Sequence, residues 1–247
     1  MKNYIEWIGT GSGLNPVLGN TSFLVGGGER TLLVDCGCTV PLELIKSNKL
    51  KQVTDVIITH AHADHIGGLE VFAFMNYFAY RNREDKRPNL YVATDELAHN
   101  LWHNSLKGGM QKIQADDGAS LDTTLETFFS LKIGKRINIA DLPSIELFPT
   151  LHVKNLENYG LRFDNGIFYS GDTVELPPHD PRNIFQDCQF FETESDVHIS
   201  YNKLLKELPV KVRAKTYLVH LNNGWDKKDC KKDGFAGFVM PGQRFEL

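Results

Sequence analysis

Apolar positions in the first fifth of the chain come as short runs separated by glycine: Tyr4–Ile8, a turn at Gly9–Gly13, Thr21–Val25, a turn at Gly26–Gly28, then Thr31–Asp35. Such runs predict a meander of short strands at the edge of a sheet. Val40–Leu50 changes to apolar positions at helical spacing, and Val53–Thr59 is a β-branched run with polar flanks, as a buried strand requires. Gly67 and Gly68 open Leu69–Tyr80, an apolar and aromatic stretch that predicts a helix packed on a sheet, and Asn89–Ala93 predicts a strand. From Thr94 to Phe129 the pattern is helix-like but broken at Gly108–Gly109 and Asp116–Gly118, which fits a lid or a subunit contact outside the core. Strands resume at Ile145–Phe148, Tyr159–Phe163, Ile167–Ser170 and Thr216–Val219, with a helix over Tyr201–Leu208. The α/β pattern shows no repeat, linker or low-complexity tract, and 247 residues at 41% hydrophobic content suit a single domain over 1–247.

Several of these runs end in a residue type that binds metals. Val56-Ile57-Ile58-Thr59 leads to His60, Phe168-Tyr169-Ser170-Gly171 to Asp172, and Tyr217-Leu218-Val219 to His220. His152 follows Ile145–Phe148 after a break at Pro149, and Asp35 closes Leu32-Leu33-Val34. Strand ends are where α/β folds build their sites, so one edge of the sheets collects these groups. The densest signal is His60-Ala61-His62-Ala63-Asp64-His65, in which small alanines leave room for four coordinating side chains to converge from one turn. A lone histidine is ordinarily a core or surface residue; three with an aspartate in this spacing point to metal.

Seven candidate ligands exceed the needs of one ion, since a structural zinc closes four positions and a catalytic one leaves a position open. The economical partition gives His60, His62 and His152 to one ion and Asp64, His65 and His220 to another, with Asp172 bridging. Imidazole-rich ligation favours zinc, with manganese, iron and cobalt also able to occupy such a site. Two ions roughly 3.5–4 Å apart clamp the oxygens of an in-line displacement, which suits phosphoester hydrolysis. Asp35 is not needed as a ligand; its strand-end position fits an acceptor that fixes the tautomer of a ligating histidine.

Net charge and cysteine content narrow the partners. A net charge of −4 spread along the chain argues against a long nucleic acid. The locally basic Lys203–Lys232 segment reads as a solvated face. Met1–Ile8 lacks the apolar core of a signal peptide and no run is long enough to span a membrane, so a cytoplasmic protein is expected. The four cysteines read as free thiols, mostly in the core. Three further patterns fall away. Leu14 stands where a dinucleotide fingerprint needs its third glycine, Asn100 stands where a His99/His103 zinc-protease helix needs glutamate, and His179 lies in a proline-rich loop. Phe72, Phe74, Tyr77 and Trp102 read as the buried face of helices.

These residues resemble the metallo-β-lactamase superfamily. His60-Ala61-His62-Ala63-Asp64-His65 matches its HxHxDH signature, and Asp35, His152, Asp172 and His220 match its other motifs in order. The resemblance implies an αββα sandwich, two mixed sheets packed face to face with helices outside. Asp172 stands where the drug-hydrolysing branch carries a cysteine, so lactam hydrolysis is disfavoured. Gly9-Thr10-Gly11-Ser12-Gly13 and Ser170-Gly171-Asp172-Thr173 are similar to the ribonuclease Z group of phosphodiesterases. That likeness implies a general-acid role for His198 beside the catalytic and ligating Asp64. The Gly/Pro-rich arm with which that group grips tRNA is not found. Leu106-Lys107-Gly108-Gly109-Met110, Val197-His198 and the ending Gly234-Phe235-Ala236-Gly237-Phe238-Val239 with Gly242-Gln243 resemble phage anti-Pycsar cyclic-nucleotide phosphodiesterases. The implied activity is hydrolysis of cyclic nucleotide second messengers in a host cytoplasm, by a homodimer whose partner helps cover the site. The alternatives are a tRNA 3′-processing endonuclease and a protein that sequesters a nucleotide unchanged.

Overall fold

The computed structural model describes residues 2–15, 17–79, 87–115, 117–191 and 197–247. The first half runs β1 (Tyr4–Gly9), β2 (Ser22–Gly26), β3 (Leu32–Val34), α1 (Val40–Lys46), β4 (Asp55–Ile57), α2 (Ala63–Ile66), α3 (Leu69–Phe74) and β5 (Asn89–Val92), then α4 (Asp95–Leu101), α5 (Lys107–Met110), β6 (Lys112–Gln114), β7 (Ser120–Asp122), α6 (Leu125–Phe128) and β8 (Ser130–Ile133). The second half runs β9 (Arg136–Ile137), β10 (Ile145–Pro149), β11 (Tyr159–Phe163), β12 (Ile167–Tyr169) and β13 (Asn183–Asp187), then α7 (Tyr201–Glu207), α8 (Val210–Arg213), β14 (Thr216–Val219), β15 (Gly237–Phe238) and β16 (Arg244–Glu246).

Two seven-stranded mixed sheets result, ordered β16-β1-β2-β3-β4-β5-β8 and β15-β14-β13-β12-β11-β10-β9. Each has antiparallel strands on one side and parallel strands on the other: β3, β4, β5 and β8 run parallel in the first sheet, β12 to β15 in the second. The meander β1–β3 lies inside its sheet rather than at the edge, because the C-terminal β16 returns to pair with β1 in the register Glu6↔Arg244.

Alternation along the second sheet sends one set of side chains to each face. Tyr169 and Phe185 join the core shared with the first sheet, where Trp7 packs against Phe23 (ring centroids 4.7 Å), Phe185 (5.2 Å) and Tyr169 (6.0 Å). Their strand neighbours Phe168 and Ile184 pack the other way, in a cluster with Tyr201 and Leu204 of α7. The sheets thus meet face to face, with α7 outside the second.

The 94–129 region departs from its helical reading. Gly108 and Gly109 continue a helix instead of breaking it, following a π-helical turn at Trp102–Leu106. Beyond them β6 and β7 form an antiparallel hairpin of three residues a strand, in which Ile113, packed against the core, pairs with Leu121; strands this short gave no signal in the pattern. The break expected at Asp116–Gly118 falls at its turn, Asp116 itself lying outside the described residues. The Leu69–Tyr80 helix is α3 followed by a π-helical turn at Met75–Ala79; Tyr80 is outside the described residues. Phe72 and Trp102 are buried, as their helical spacing predicts. Of the cysteines, Cys36, Cys188 and Cys230 are buried and Cys38 is exposed, all as free thiols. Among the described residues no helix is long and apolar enough to cross a membrane.

Candidate metal centre

The chemistry-bearing side chains leave the C-terminal ends of the parallel strands of both sheets. In the first sheet β3 and β4 pair in the register Val34↔Ile57, which sets Asp35 beside Thr59. Asp35 turns into the left-handed region (φ 59°), a conformation aspartate tolerates better than most residues. Its Oδ1 accepts the Thr59 amide at 2.8 Å and its Oδ2 accepts the Thr59 hydroxyl at 2.8 Å. Oδ2 also accepts Nδ1–H of His65 at 2.8 Å, so this buried carboxylate fixes the ring of a histidine on α2. The turn is possible only because Gly37 lacks a side chain: a Cβ there would stand 1.9 Å from the Asp64 carbonyl oxygen.

In the second sheet β12 ends at Tyr169, and Gly171 two residues on, with φ 61°, turns the chain to aim Asp172 at the same point. The Asn158 side chain donates to the Asp172 carbonyl at 2.6 Å. His152, beyond β10, donates Nδ1–H to the Val197 carbonyl at 2.6 Å, which leaves Nε2 facing the other histidines. His220 follows β14 with φ 57°, and its neighbour Leu221 is clamped by the glycine-rich loop: Ser12 donates to its carbonyl at 3.1 Å and its amide donates to Thr10 at 2.9 Å. That loop, which resembles no dinucleotide fingerprint, therefore joins the two sheets at the site.

The structure brings the seven sequence-predicted side chains together, with Asp187 and His198 grouped beside Asp172 and His220. One donor atom from each of His60, His62, His152 and Asp172 lies within 4.8 Å of the others, and the same holds for Asp64, His65, Asp172 and His220, so Asp172 belongs to both groups. Nδ1 of His62 stands 3.1 Å from Nε2 of His60 and 3.2 Å from Nε2 of His152. A single ring proton cannot bridge both gaps, whereas three imidazoles around one zinc stand about 3.3 Å apart. In the second group Nε2 of His65 is 3.3 Å from Oδ2 of Asp172 and 3.6 Å from Oδ2 of Asp64, and Nε2 of His220 is 3.4 and 3.3 Å from the same oxygens.

Burial and charge fit a cation. His60, His65, His152, His220 and Asp172 are all buried, and neither Nε2 of His65 nor Oδ1 of Asp172 makes a hydrogen bond. Burial and the surrounding imidazoles push the His60 pKa well below its ordinary value, and burial with His152 lowers that of His62, so the first group offers neutral lone pairs. The second group behaves oppositely. Burial works against charge on His220, but Asp172, Asp187 and Asp64 outweigh it and raise its pKa to about 10; Asp172 and Asp35 likewise raise that of His65. Burial also opposes ionisation of Asp172, yet His220 and His65 hold its carboxyl well below the usual range. This half holds protons where a divalent ion would supply the same positive charge, and binding would release them.

His198 lies beside the centre, its ring stacked on His220 at 4.8 Å and tilted against His152 at 4.9 Å. Its Nδ1–H donates to Oδ2 of Asp187 at 2.8 Å, and burial is outweighed by that carboxylate, so the His198 pKa rises. Asp187 is the residue that sequence reasoning missed. It is buried at the end of β13, accepts the Thr173 amide at 2.8 Å, and its Oδ1 is 3.3 Å from Nδ1 of His220. The signal was the same as for its neighbours, an apolar run ending in a ligand type, but Gln186 interrupts Ile184-Phe185 just before it. His99 and His103 stack on each other at 4.4 Å on an exposed helical face, and His179 is exposed in its loop.

Comparisons with known proteins give the family and the fold. The profile of the family described as "Anti-Pycsar protein Apyc1" matches residues 3–245. A relative of that name from Paenibacillus harenae is 33% identical over 255 residues, covering 99% of this chain and 100% of its own. Another, from Bacillus phage BSP38, is 32% identical over 259 residues, covering 98% of each chain. Among solved structures, the metallo-β-lactamase fold protein YhfI from Bacillus subtilis superposes with a TM-score of 0.74 at 16% identity over 100% of both chains. Human tRNase Z, short form, superposes with a TM-score of 0.64 at 13% identity over 99% of both. The fold is that of the metallo-β-lactamases.

Proposed function

Because the chain belongs to the anti-Pycsar protein Apyc1 family, we propose that it is a dinuclear metal-dependent phosphodiesterase that opens cyclic nucleotide second messengers and so removes the signal of an antiphage defence. The observation that carries this reading is the carboxylate of Asp172 shared by two buried donor groups, with the His198–Asp187 pair against one of them. Two divalent ions in those groups, zinc by the chemistry of the donors, would polarise the phosphoryl oxygens and lower the pKa of a water for attack on phosphorus.

The protein's own side chains supply the rest. His60, His62 and His152 would hold one ion, and Asp64, His65 and His220 the other, with Asp172 between them. Asp35 keeps the Nδ1 proton of His65 engaged and the Val197 carbonyl does the same for His152, so Nε2 of each ring points inward. As water adds to phosphorus one ester P–O bond breaks and the departing sugar oxygen needs a proton. His198 would deliver it from Nε2, because its Nδ1 proton is held by Asp187, whose charge stabilises the imidazolium. The solution assembly is proposed to be a homodimer, which light scattering reads directly.

The test is incubation of the zinc- or manganese-loaded protein with cyclic mononucleotides, cyclic dinucleotides and a precursor tRNA, using an Asp64→Ala His65→Ala variant as control. Ring opening of a cyclic mononucleotide by the parent alone is the expected result. Cleavage of the tRNA with cyclic nucleotides untouched would overturn it in favour of RNA processing. A nucleotide bound tightly and recovered intact would make the protein a sequestering agent.

A further inference from the structure

The helical stretch that begins with α4 carries a pair of metal-ligating side chains that the buried centre leaves unused. His99 and His103 are four residues apart, the spacing that sets two side chains one above the other on a helix face. Their rings stack with centroids 4.4 Å apart and planes 28° apart, and both side chains are exposed. The backbone beneath them is anchored. Thr94 caps α4 by accepting the Leu97 amide at 3.1 Å and donates its hydroxyl proton to Oε2 of Glu157 at 2.7 Å, while Leu97, Leu101 and Trp102 are buried. Alongside, Asn104 donates to Oδ1 of Asn100 at 2.8 Å, so these two carboxamides engage each other. Among the described residues neither imidazole hydrogen-bonds to another group of the protein, which leaves their ring nitrogens to solvent or to an ion.

A lone exposed histidine is ordinary solvated surface, whereas two on successive turns are a bidentate ligand, the arrangement with which zinc-protease helices hold their metal. Asn100 takes the place of the glutamate that activates water in those helices, which removes the hydrolytic base and leaves the two ligands intact. Two imidazole nitrogens on one ion, each 2.0–2.1 Å from it, stand about 2.9–3.4 Å apart. Rings with centroids 4.4 Å apart reach that separation by a turn about χ2, a broad torsion that exposure leaves unhindered. Asp95 and Glu96, also exposed, precede His99 by four and three residues and add negative charge on the turn before. We propose that His99 and His103 form a peripheral metal site, separate from the buried centre, for a divalent transition ion that favours nitrogen ligands. Copper(II) should bind there ahead of nickel(II) and zinc(II), and magnesium and calcium, which need oxygen ligands, should not. With two protein ligands and water in the remaining positions, the ion exchanges more readily than one enclosed by the buried donor groups.

The test is titration of the zinc-loaded protein with copper(II), followed by calorimetry and electron paramagnetic resonance, with zinc content measured before and after. Copper should be taken up in addition to the zinc, with nitrogen couplings from two imidazoles. His99→Ala and His103→Ala should each weaken that uptake by at least the roughly 10–100-fold that loss of an orienting partner costs a metal site, since here a ligand itself is lost. Their zinc content should stay at the parent's level. Asp64→Ala His65→Ala, which disables the buried centre, should keep the copper signal, and magnesium should produce no binding heat that His99→Ala abolishes. Copper that merely displaces zinc, or that binds His99→Ala and His103→Ala as tightly as the parent, would overturn the site.

Discussion

Asp35 in the first sheet and Asp187 in the second are the same device used to different ends. Each is buried at the C-terminal end of a parallel strand, and each accepts a backbone amide at 2.8 Å and the Nδ1 proton of a histidine at 2.8 Å. Asp35 spends its remaining capacity on the Thr59 hydroxyl and serves only His65, which is fully buried. Asp187 faces two histidines, the buried His220 and the partly exposed His198. The closed side of the site thus uses a carboxylate to hold a ring still. The open side uses one to couple a buried ring of the donor cluster to a ring that reaches solvent and can carry a proton.

The carboxylate common to both sides should show the largest effect. Asp172→Ala removes a donor from both groups, so metal content should fall at both positions and turnover should drop by far more than the roughly 10–100-fold typical of residues that only orient a ligand. Elemental analysis with activity on the same sample checks it; a variant that retains two metals per chain removes Asp172 from its shared role.

Next come the two orienting aspartates, which should fail in different ways. Asp35→Ala strands a buried amide, a hydroxyl and the His65 ring together, and should cost about 3–5 kcal/mol in urea unfolding of the metal-free protein. Asp187→Asn keeps the shape and should leave unfolding nearly unchanged while lowering kcat about 10–100-fold. Because Asp187 acts through His198, adding His198→Ala to Asp187→Asn should lower kcat little further than His198→Ala alone. If the two losses multiply, the residues act separately and the coupling inferred for the open side is wrong.

What the sequence revealed of this arrangement, and what it hid, follows from burial. The ends of β4, β12 and β14 were legible because apolar runs lead, directly or through one or two small residues, into His60, Asp172 and His220, and a buried strand has few other reasons to end near such residues. Asp187 was hidden because β13 buries Gln186, whose polarity broke the run that should have flagged it. The β6–β7 hairpin was hidden for a different reason: each strand is three residues long with one apolar position, Ile113 or Leu121, too short an alternation to stand out. Gly108 and Gly109 misled because glycine weakens a helix without forbidding one, and Leu106 and Met110 on either side are buried strongly enough to hold it.

A carboxylate far from any histidine sharpens the contrast from outside the site. Glu6 on β1 is buried between cations, with Lys49 Nζ at 2.5 Å from one oxygen and an Arg244 guanidinium nitrogen at 2.9 Å from the other, so it fastens β16 and the segment after α1 to the first sheet. Burial raises its pKa, but Lys49 and Arg244 outweigh burial and leave it below the ordinary 4.5. A carboxylate with a depressed folded-state pKa contributes stability above its unfolded value and loses it as pH falls through the folded one. Arg244 is 54% exposed, and screening there limits the contribution to about 1 kcal/mol. Glu6→Gln should therefore be less stable than the parent by about that amount at pH 7, with the gap closing below the ordinary carboxyl range as the parent's Glu6 takes up its proton. Urea midpoints of the two metal-free proteins from pH 7 down to pH 3 measure it. A gap that stays constant over that range would mean Glu6 acts through packing and hydrogen bonds alone. Unlike Asp35 and Asp187, its charge would then do nothing that a neutral amide could not.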